Sequence, residues 1–271
     1  MQNRISACLV IYNEEKYIKR CLDSICDVVD EIIIVHDGQC TDKTLEICRK
    51  YTDKIFVCKH NGVAEHHRPF SYSKAQYEWI LQIDADEYLS LDLKKNLRFL
   101  VSRSNVSAYE FLWPLWDGSK RITLKWPYKR CLYRKSKMSF LGIPQYVVDV
   151  KGVIMKSNFI LEHRPNYNNF TWEYFKKKSL KRAKNHAQTY LQDFNQIPKF
   201  NYHDNNWPLK IKLRRKFPLL LAPLEFLITF TKVLISGAWN NGCIGWKVAI
   251  KHGAYRFMVN YYIFKVKTNK H

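Results

Sequence analysis

At 271 residues the chain can bury a full-sized core in one α/β domain, or in one domain with a helical appendage, so its stability need not rest on disulfides or structural metals. The net charge of +21 is uneven: residues 1–100 carry 14 Lys or Arg against 16 Asp or Glu, and residues 101–271 carry 31 against 8. That imbalance calls for an anionic partner, whether phosphate, nucleic acid or membrane headgroups, while the eight cysteines lack any paired spacing and read as reduced packing residues.

In chain order, Ser6 to Ile11 is an apolar strand, too short and too poor in cleavage signals for a secretory leader. This predicts that the domain stays in the cytoplasm. Glu14 to Ile25 reads as a helix and Glu31 to Val35 as a second strand. Thr41 is placed to cap a helix running to about Tyr51, Lys54 to Cys58 is a third strand, Ser71 to Trp79 a short helix, and Ile80 to Ile83 a fourth, buried strand. This alternation predicts an α/β layer fold with a mainly parallel sheet. From Asn105 to Ile160 the pattern becomes short, aromatic and alternating, with Ala108 to Trp113, Lys129 to Tyr133 and Val147 to Met155 as added antiparallel strands.

Residues 170 to 194 space Trp172, Phe175, Ala183, Ala187, Tyr190, Leu191 and Phe194 as one face of a basic amphipathic helix. Asn195 to Pro208 reads as a linker. The basic run Lys210 to Lys216 then precedes an apolar stretch from Phe217 to Ile235, which contains two prolines, Glu225 and Lys232. A spanning helix needs about 20 mostly apolar residues, so the stretch is read as an interfacial helix, with a core helix as the alternative. No helix-turn-helix or zinc-finger spacing accompanies the basic runs, which argues against nucleic acid and for an anionic membrane surface.

The chemistry gathers at strand ends. Leu81-Gln82-Ile83-Asp84-Ala85-Asp86-Glu87 runs an apolar strand into three carboxylates, which repel one another unless a cation neutralises them. Oxygen ligands suit Mg²⁺ or Mn²⁺ and leave room for diphosphate oxygens; a solvated helix start is the plain alternative. The first strand ends in Tyr12-Asn13-Glu14-Glu15, and the second delivers His36-Asp37-Gly38 before Thr41-Asp42-Lys43-Thr44 to the same sheet edge. His66 and His67 lack further ligands at zinc spacing and read as a loop flanking that edge.

In order and spacing, Tyr12 to Glu15, Asp37 to Thr44 and Ile83 to Glu87 resemble glycosyltransferase family 2, the inverting GT-A fold enzymes, over about residues 4–100. The Asp-Ala-Asp-Glu form with an aromatic-rich second half resembles the branch that builds lipopolysaccharide core and capsule β-linkages. The resemblance implies a GT-A catalytic domain over 1–165, with a nucleotide-sugar half (1–100) and an acceptor half (101–165), followed by a basic helical region over 166–271. It places Tyr12 and Asp37 against the nucleobase, Asp84 near the ribose and Asp86 on Mg²⁺ or Mn²⁺. Glu14 supports the donor pocket, Arg68 contacts the donor, and His163 of Glu162-His163-Arg164 approaches the metal or diphosphate.

The implied donor is a nucleotide-sugar, UDP-linked by preference, and the acceptor a glycan or lipid-linked sugar at the inner face of the cell membrane. The His-Glu pair that the branch carries after a glycine is replaced here by Gly142-Ile143-Pro144-Gln145-Tyr146. Asp149 is the nearest downstream carboxylate to serve as base, and a phosphate acceptor would need none. The rivals are a sugar nucleotidyltransferase, which lacks its glycine-rich basic loop here, and an inactive GT-A scaffold or carbohydrate-binding protein at the membrane.

Overall fold

The computed structural model, which describes residues 3–165 and 170–269, divides into two compact units that interleave along the chain. Residues 1–114, 128–165 and 198–202 form one unit; residues 115–127, 166–197 and 203–271 form the other. A single cut at residue 165 does not describe this division. The segment 115–127 joins the helices, where Leu124 N donates to Ser236 O and Asn241 Nδ2 to Ile122 O. Lys199–Phe200 instead pairs with a strand of the first unit.

Unit 1 contains β1 (Ile5–Ile11), α1 (Ile18–Ile25), β2 (Glu31–Asp37), α2 (Thr44–Cys48), β3 (Ile55–Cys58), α3 (Ala64–Lys74), β4 (Trp79–Gln82), β5 (Glu87–Leu89) and α4 (Leu91–Ser102). These are followed by β6 (Val106–Leu112), β7 (Tyr128–Arg134), β8 (Met138–Leu141), β9 (Asp149–Val150), β10 (Val153–His163) and β11 (Lys199–Phe200). The main sheet has the order β3-β2-β1-β4-β7-β6-β10-β5, and β11-β8-β9 form a small second sheet. Strands β3, β2, β1 and β4 are parallel, β7 is antiparallel to β4 and β6, and β10 is parallel to β6. The α/β layer fold with a mainly parallel sheet is thus realised.

Period two explains the layering. Along β1, Ile5, Ala7, Leu9 and Ile11 join Ile18, Cys21, Leu22 and Ile25 of α1 in one core, and Cys8 joins Tyr72 of α3, Tyr133 and Phe140 in the other. Because β2 and β4 lie on opposite sides of β1, the order reverses at β1, and ligand crevices form at the carboxyl ends of strands where this happens.

Local boundaries differ from expectation for identifiable reasons. Asn13 has φ +52, so α1 begins only at Ile18, after a turn in which Tyr17 N and Ile18 N donate to Glu14 O. Thr41 does not cap α2; its hydroxyl accepts from Asn13 Nδ2, and Asp42 Oδ1 accepts from Thr44 N. The helix expected over 71–79 lies earlier, at Ala64–Lys74, and carries His66, His67 and Arg68, while Trp79 opens β4. The strand expected over 147–155 breaks at Gly152, φ +108, where a Cβ would lie 2.4 Å from Ser107 Oγ.

Unit 2 holds α5 (Trp172–Tyr174), a π-helical turn (Phe175–Ser179), α6 (Leu180–Tyr190), α7 (Leu209–Lys216), α8 (Pro218–Ile235) and α9 (Gly242–Thr268). The predicted helix over 170–194 is realised as a helical run from Trp172 to Tyr190 with a π turn at Phe175–Ser179, and Phe194 falls in a separate 3-10 turn. In α8, Glu225 accepts from Arg214 Nε (2.9 Å) and Nη2 (2.7 Å) and from Asn260 Nδ2 (3.1 Å), and Arg214 Nη1 donates to Tyr190 OH (3.1 Å). One buried charge network thus ties α6, α7, α8 and α9 together. With Glu225 turned inward, α8 leaves Leu220, Leu224, Leu227, Ile228 and Ile235 exposed at the spacing of one helical face.

Candidate functional site

The carboxyl edge of β1, β2 and β4 gathers most of the residues singled out by sequence. The Tyr12 ring is half-exposed, 4.9 Å from the His60 ring and 5.8 Å from the His36 ring. Asn13 N donates to His36 Nε2, which makes Nδ1 the protonated nitrogen that donates to Gly38 O at 2.7 Å. Gly38 has φ +96, and a Cβ there would lie 2.8 Å from the Cβ of His60; only glycine lets the His60 ring close on Tyr12. The Glu14 backbone takes part in the same ordering, its N–H donating to Thr44 Oγ1 at 2.6 Å.

Asp37 is buried at the end of β2. Its Oδ1 accepts from Asn61 N (2.6 Å) and His67 Nε2 (2.9 Å), and its Oδ2 from Gly62 N (2.8 Å). Burial works to raise its pKa, but the Asn61 N–H, His67 and the Gly62 N–H outweigh it and hold the carboxyl below its usual range. Both carboxylate oxygens are thus engaged by the backbone of Asn61 and Gly62 and by the His67 ring.

After β4 the three carboxylates part company. Asp84 Oδ1 accepts from Arg68 Nη2 (3.1 Å) and Oδ2 from Lys129 Nζ (2.8 Å). Glu87 is almost fully buried and accepts from Lys129 Nζ at 2.7 and 2.6 Å, from Trp113 Nε1 at 2.6 Å and from Asp84 N at 2.9 Å. Burial works against ionisation of both carboxyls. At Asp84 the charges of Lys129 and Arg68 overcome it and push the pKa down; at Glu87 burial prevails over Lys129 and pushes it up. Asp86 meets neither cation: its Oδ2 lies 3.0 Å from His163 Nε2.

His163 reaches Asp86 because β10 runs antiparallel to β5, with His163 opposite Glu87, and its ring stacks on Trp113 at 4.4 Å. Trp113 therefore orients both His163 and Glu87. Lys129 and Trp113 were not singled out by sequence. Beneath the strand end, Tyr72 OH and Tyr133 OH both donate to Gln82 Oε1, at 2.5 and 2.8 Å, a buried triad that fixes the end of β4.

Asp149 is exposed on β9 in the small sheet, where its carboxylate accepts from Tyr146 OH. Arg68, on α3, is engaged with Asp84 rather than open to solvent.

Asp86 and His163 are a carboxylate and an imidazole suited to a divalent cation whose remaining positions go to diphosphate oxygens and water. Among the described residues no group of three or more His, Cys, Asp or Glu is arranged to hold a metal.

Residues 6–140 match the sequence profile of Glycosyl transferase family 2. An uncharacterised glycosyltransferase of Rickettsia bellii is 32% identical over 146 residues, covering 52% of this chain and 49% of that protein. Its counterpart from Rickettsia typhi, RT0209, is 31% identical over 143 residues, covering 51% and 48%. The matched segment thus spans about half the length of these relatives. Among solved structures, TarS of S. aureus (residues 1–349) aligns with 99% of this chain and 92% of its own at 14% identity and a TM-score of 0.44. Glucosyl-3-phosphoglycerate synthase of Mycobacterium tuberculosis, solved with Mg²⁺ and UDP, aligns with 41% of this chain and 44% of its own at 18% identity and a TM-score of 0.35. At that distance these structures assign no residue a role here.

Proposed function

Because residues 6–140 make this chain a member of glycosyltransferase family 2, we propose that it transfers a sugar, with inversion, from a nucleotide-sugar donor to a glycan or lipid-linked acceptor in cell-surface polysaccharide or glycolipid synthesis. The observation that carries this reading is the Asp86–His163 pair, 3.0 Å apart, at the strand edge that also presents Tyr12 and Asp84. In this reading Tyr12 packs against the base, with His60 behind it, and Asp37 fixes the loop that borders it. Asp84, already charged and held by Arg68 and Lys129, accepts from a ribose hydroxyl. Asp86 and His163 hold Mg²⁺ or Mn²⁺, which when bound would supply Lewis-acid stabilisation to the departing diphosphate.

Asp149 is the proposed base. A general base contributes about 10²–10⁴-fold, so Asp149→Asn should lower transfer to a hydroxyl acceptor by that order and leave donor binding intact. Unchanged transfer would remove Asp149 from the mechanism and favour a phosphate acceptor.

We further propose that unit 2 rests on the anionic inner face of the cell membrane. The support is the exposed apolar face of α8, beside exposed Trp246, Ile250, Phe257 and Phe264 of α9 and the basic residues of α7. By length and composition α8 could cross a membrane, with 18 residues, a mean hydropathy of 1.7 and only 17% of the span buried. At 1.5 Å per residue, however, it is about 27 Å long, short of a hydrocarbon core of about 30 Å. An interfacial position suits its one-sided exposure better.

The test is a thermal-shift series with UDP-, GDP- and CMP-sugars, with and without Mn²⁺. A donor at a hundredfold excess over its Kd should stabilise the protein by about 2.7 kcal/mol, in a metal-dependent manner that Asp86→Ala abolishes. If no nucleotide sugar raises the melting temperature, the reading fails.

A further inference from the structure

Lys129 is the least expected occupant of the strand edge. Its ammonium sits within hydrogen-bond distance of three carboxylate oxygens, Asp84 Oδ2 and both oxygens of Glu87, and its side chain is only 19% exposed. With Arg68 on Asp84 Oδ1 and Trp113 on Glu87 Oε1, every oxygen of Asp84 and Glu87 has a donor from the protein. A cluster of three carboxylates would ordinarily draw a divalent cation by itself, since affinity for such ions rises with the number of charged oxygens offered. Here two of the three are engaged by fixed cations, leaving Asp86 with His163 as its partner.

We propose that Lys129 is a built-in counter-cation that makes divalent-metal binding conditional on a nucleoside diphosphate. Without nucleotide, one carboxylate and one imidazole hold Mn²⁺ weakly, beside the positive charges of Lys129 and Arg68. A diphosphate at the same edge supplies the missing anionic oxygens and is itself drawn by those two cations, so metal and nucleotide enter as one unit. Lys129 acts here as a positioning residue, through Asp84 and Glu87. The proposal rests on the nucleotide-sugar reading only for its second half; the exclusion of metal from the nucleotide-free protein rests on the geometry alone.

The experiment is Mn²⁺ titration of the full chain, followed by electron paramagnetic resonance of free Mn²⁺, with and without UDP and corrected for the Mn²⁺–UDP complex in buffer. Wild type should bind Mn²⁺ at least about tenfold more tightly with UDP than without. Lys129→Met, which frees Asp84 and Glu87, should bind Mn²⁺ without nucleotide at least about tenfold more tightly than wild type. Lys129→Arg, which keeps the charge, should behave as wild type. Equal Mn²⁺ affinity of wild type with and without UDP overturns the coupling, and this arm needs no variant to fold. Equal nucleotide-free affinity of wild type and a folded Lys129→Met overturns the role of Lys129, as does a gain in Lys129→Arg equal to that in Lys129→Met. Should UDP, GDP and CDP all fail to bind, the glycosyltransferase reading falls with the coupling, while the nucleotide-free comparison still decides whether Lys129 excludes the metal.

Discussion

His186 illustrates how a single buried side chain sets a pH limit. Its Nδ1 lies 2.8 Å from Tyr255 OH, and burial, reinforced by Arg182, Arg256 and Arg214, pushes its pKa down to about 2. Between that value and the ordinary histidine pKa of about 6.5, the unfolded chain binds a proton that the folded chain refuses. Stability from this site is therefore complete above about pH 6.5 and declines as pH falls below it. The melting temperature should drop between pH 7 and pH 5, and His186→Gln should flatten that slope; a slope unchanged by the substitution would locate the titrating group elsewhere. At the same scale, the residues carried by contiguous motifs, Tyr12, Asp37, Asp84 and Asp86, were legible in sequence because each follows an apolar strand. Lys129 was not, since only the antiparallel pairing of Leu81 with Leu132 brings residue 129 level with Asp84. Trp113 was hidden for a similar reason: its indole works through Glu87 and His163, which lie far from it in the chain.

Elements read from hydrophobic period were placed well where both faces are buried. Strands β1, β2 and β4 are continuous apolar runs, and parallel pairing demands little else of the sequence. Helix α3 starts earlier than the expected Ser71, because burial of His66, Pro69, Ser71 and Tyr72 along one side keeps Ala64–Lys74 helical despite its polar composition. The basic helix through Lys176 was legible by period, although its π turn was not. Within α9, a Cβ at Gly245 would lie 1.7 Å from Ala238 O, so the backbone there can approach only at a glycine. Gly245→Ala should destabilise the fold by at least about 1–3 kcal/mol, measured as a lower denaturant midpoint, and an unchanged midpoint would contradict that packing. In α8, Glu225→Gln leaves the buried Arg214 without its counter-charge and should cost about 3–5 kcal/mol, with the same measurement as its check.

For the whole molecule the uneven charge matters more than its total. If the basic residues and the apolar face of α8 act together, binding to phosphatidylserine vesicles should weaken as salt rises, because a Debye length of about 10 Å at 0.1 M shrinks to about 3 Å at 1 M. Replacing Leu220, Leu224 and Leu227 by Ser should abolish flotation at every salt concentration without lowering the melting temperature, since these side chains are exposed. Flotation that survives the triple substitution would mean that charge alone holds the protein to lipid. Sequence reading captured this polarity but not the division of the chain, because the pairing of β11 with β8 and the bonds from residues 115–127 to the helices are contacts between distant segments with no local signature.

The backbone passes between the two units five times, and this ordering has a consequence for how the protein is made. Strand β11, which completes the edge of β8, emerges from the ribosome after much of the second unit has already begun. Until it arrives β8 carries a bare, pairing-competent edge, so the nascent chain is open to mispairing at its small sheet after every strand of the main sheet has emerged.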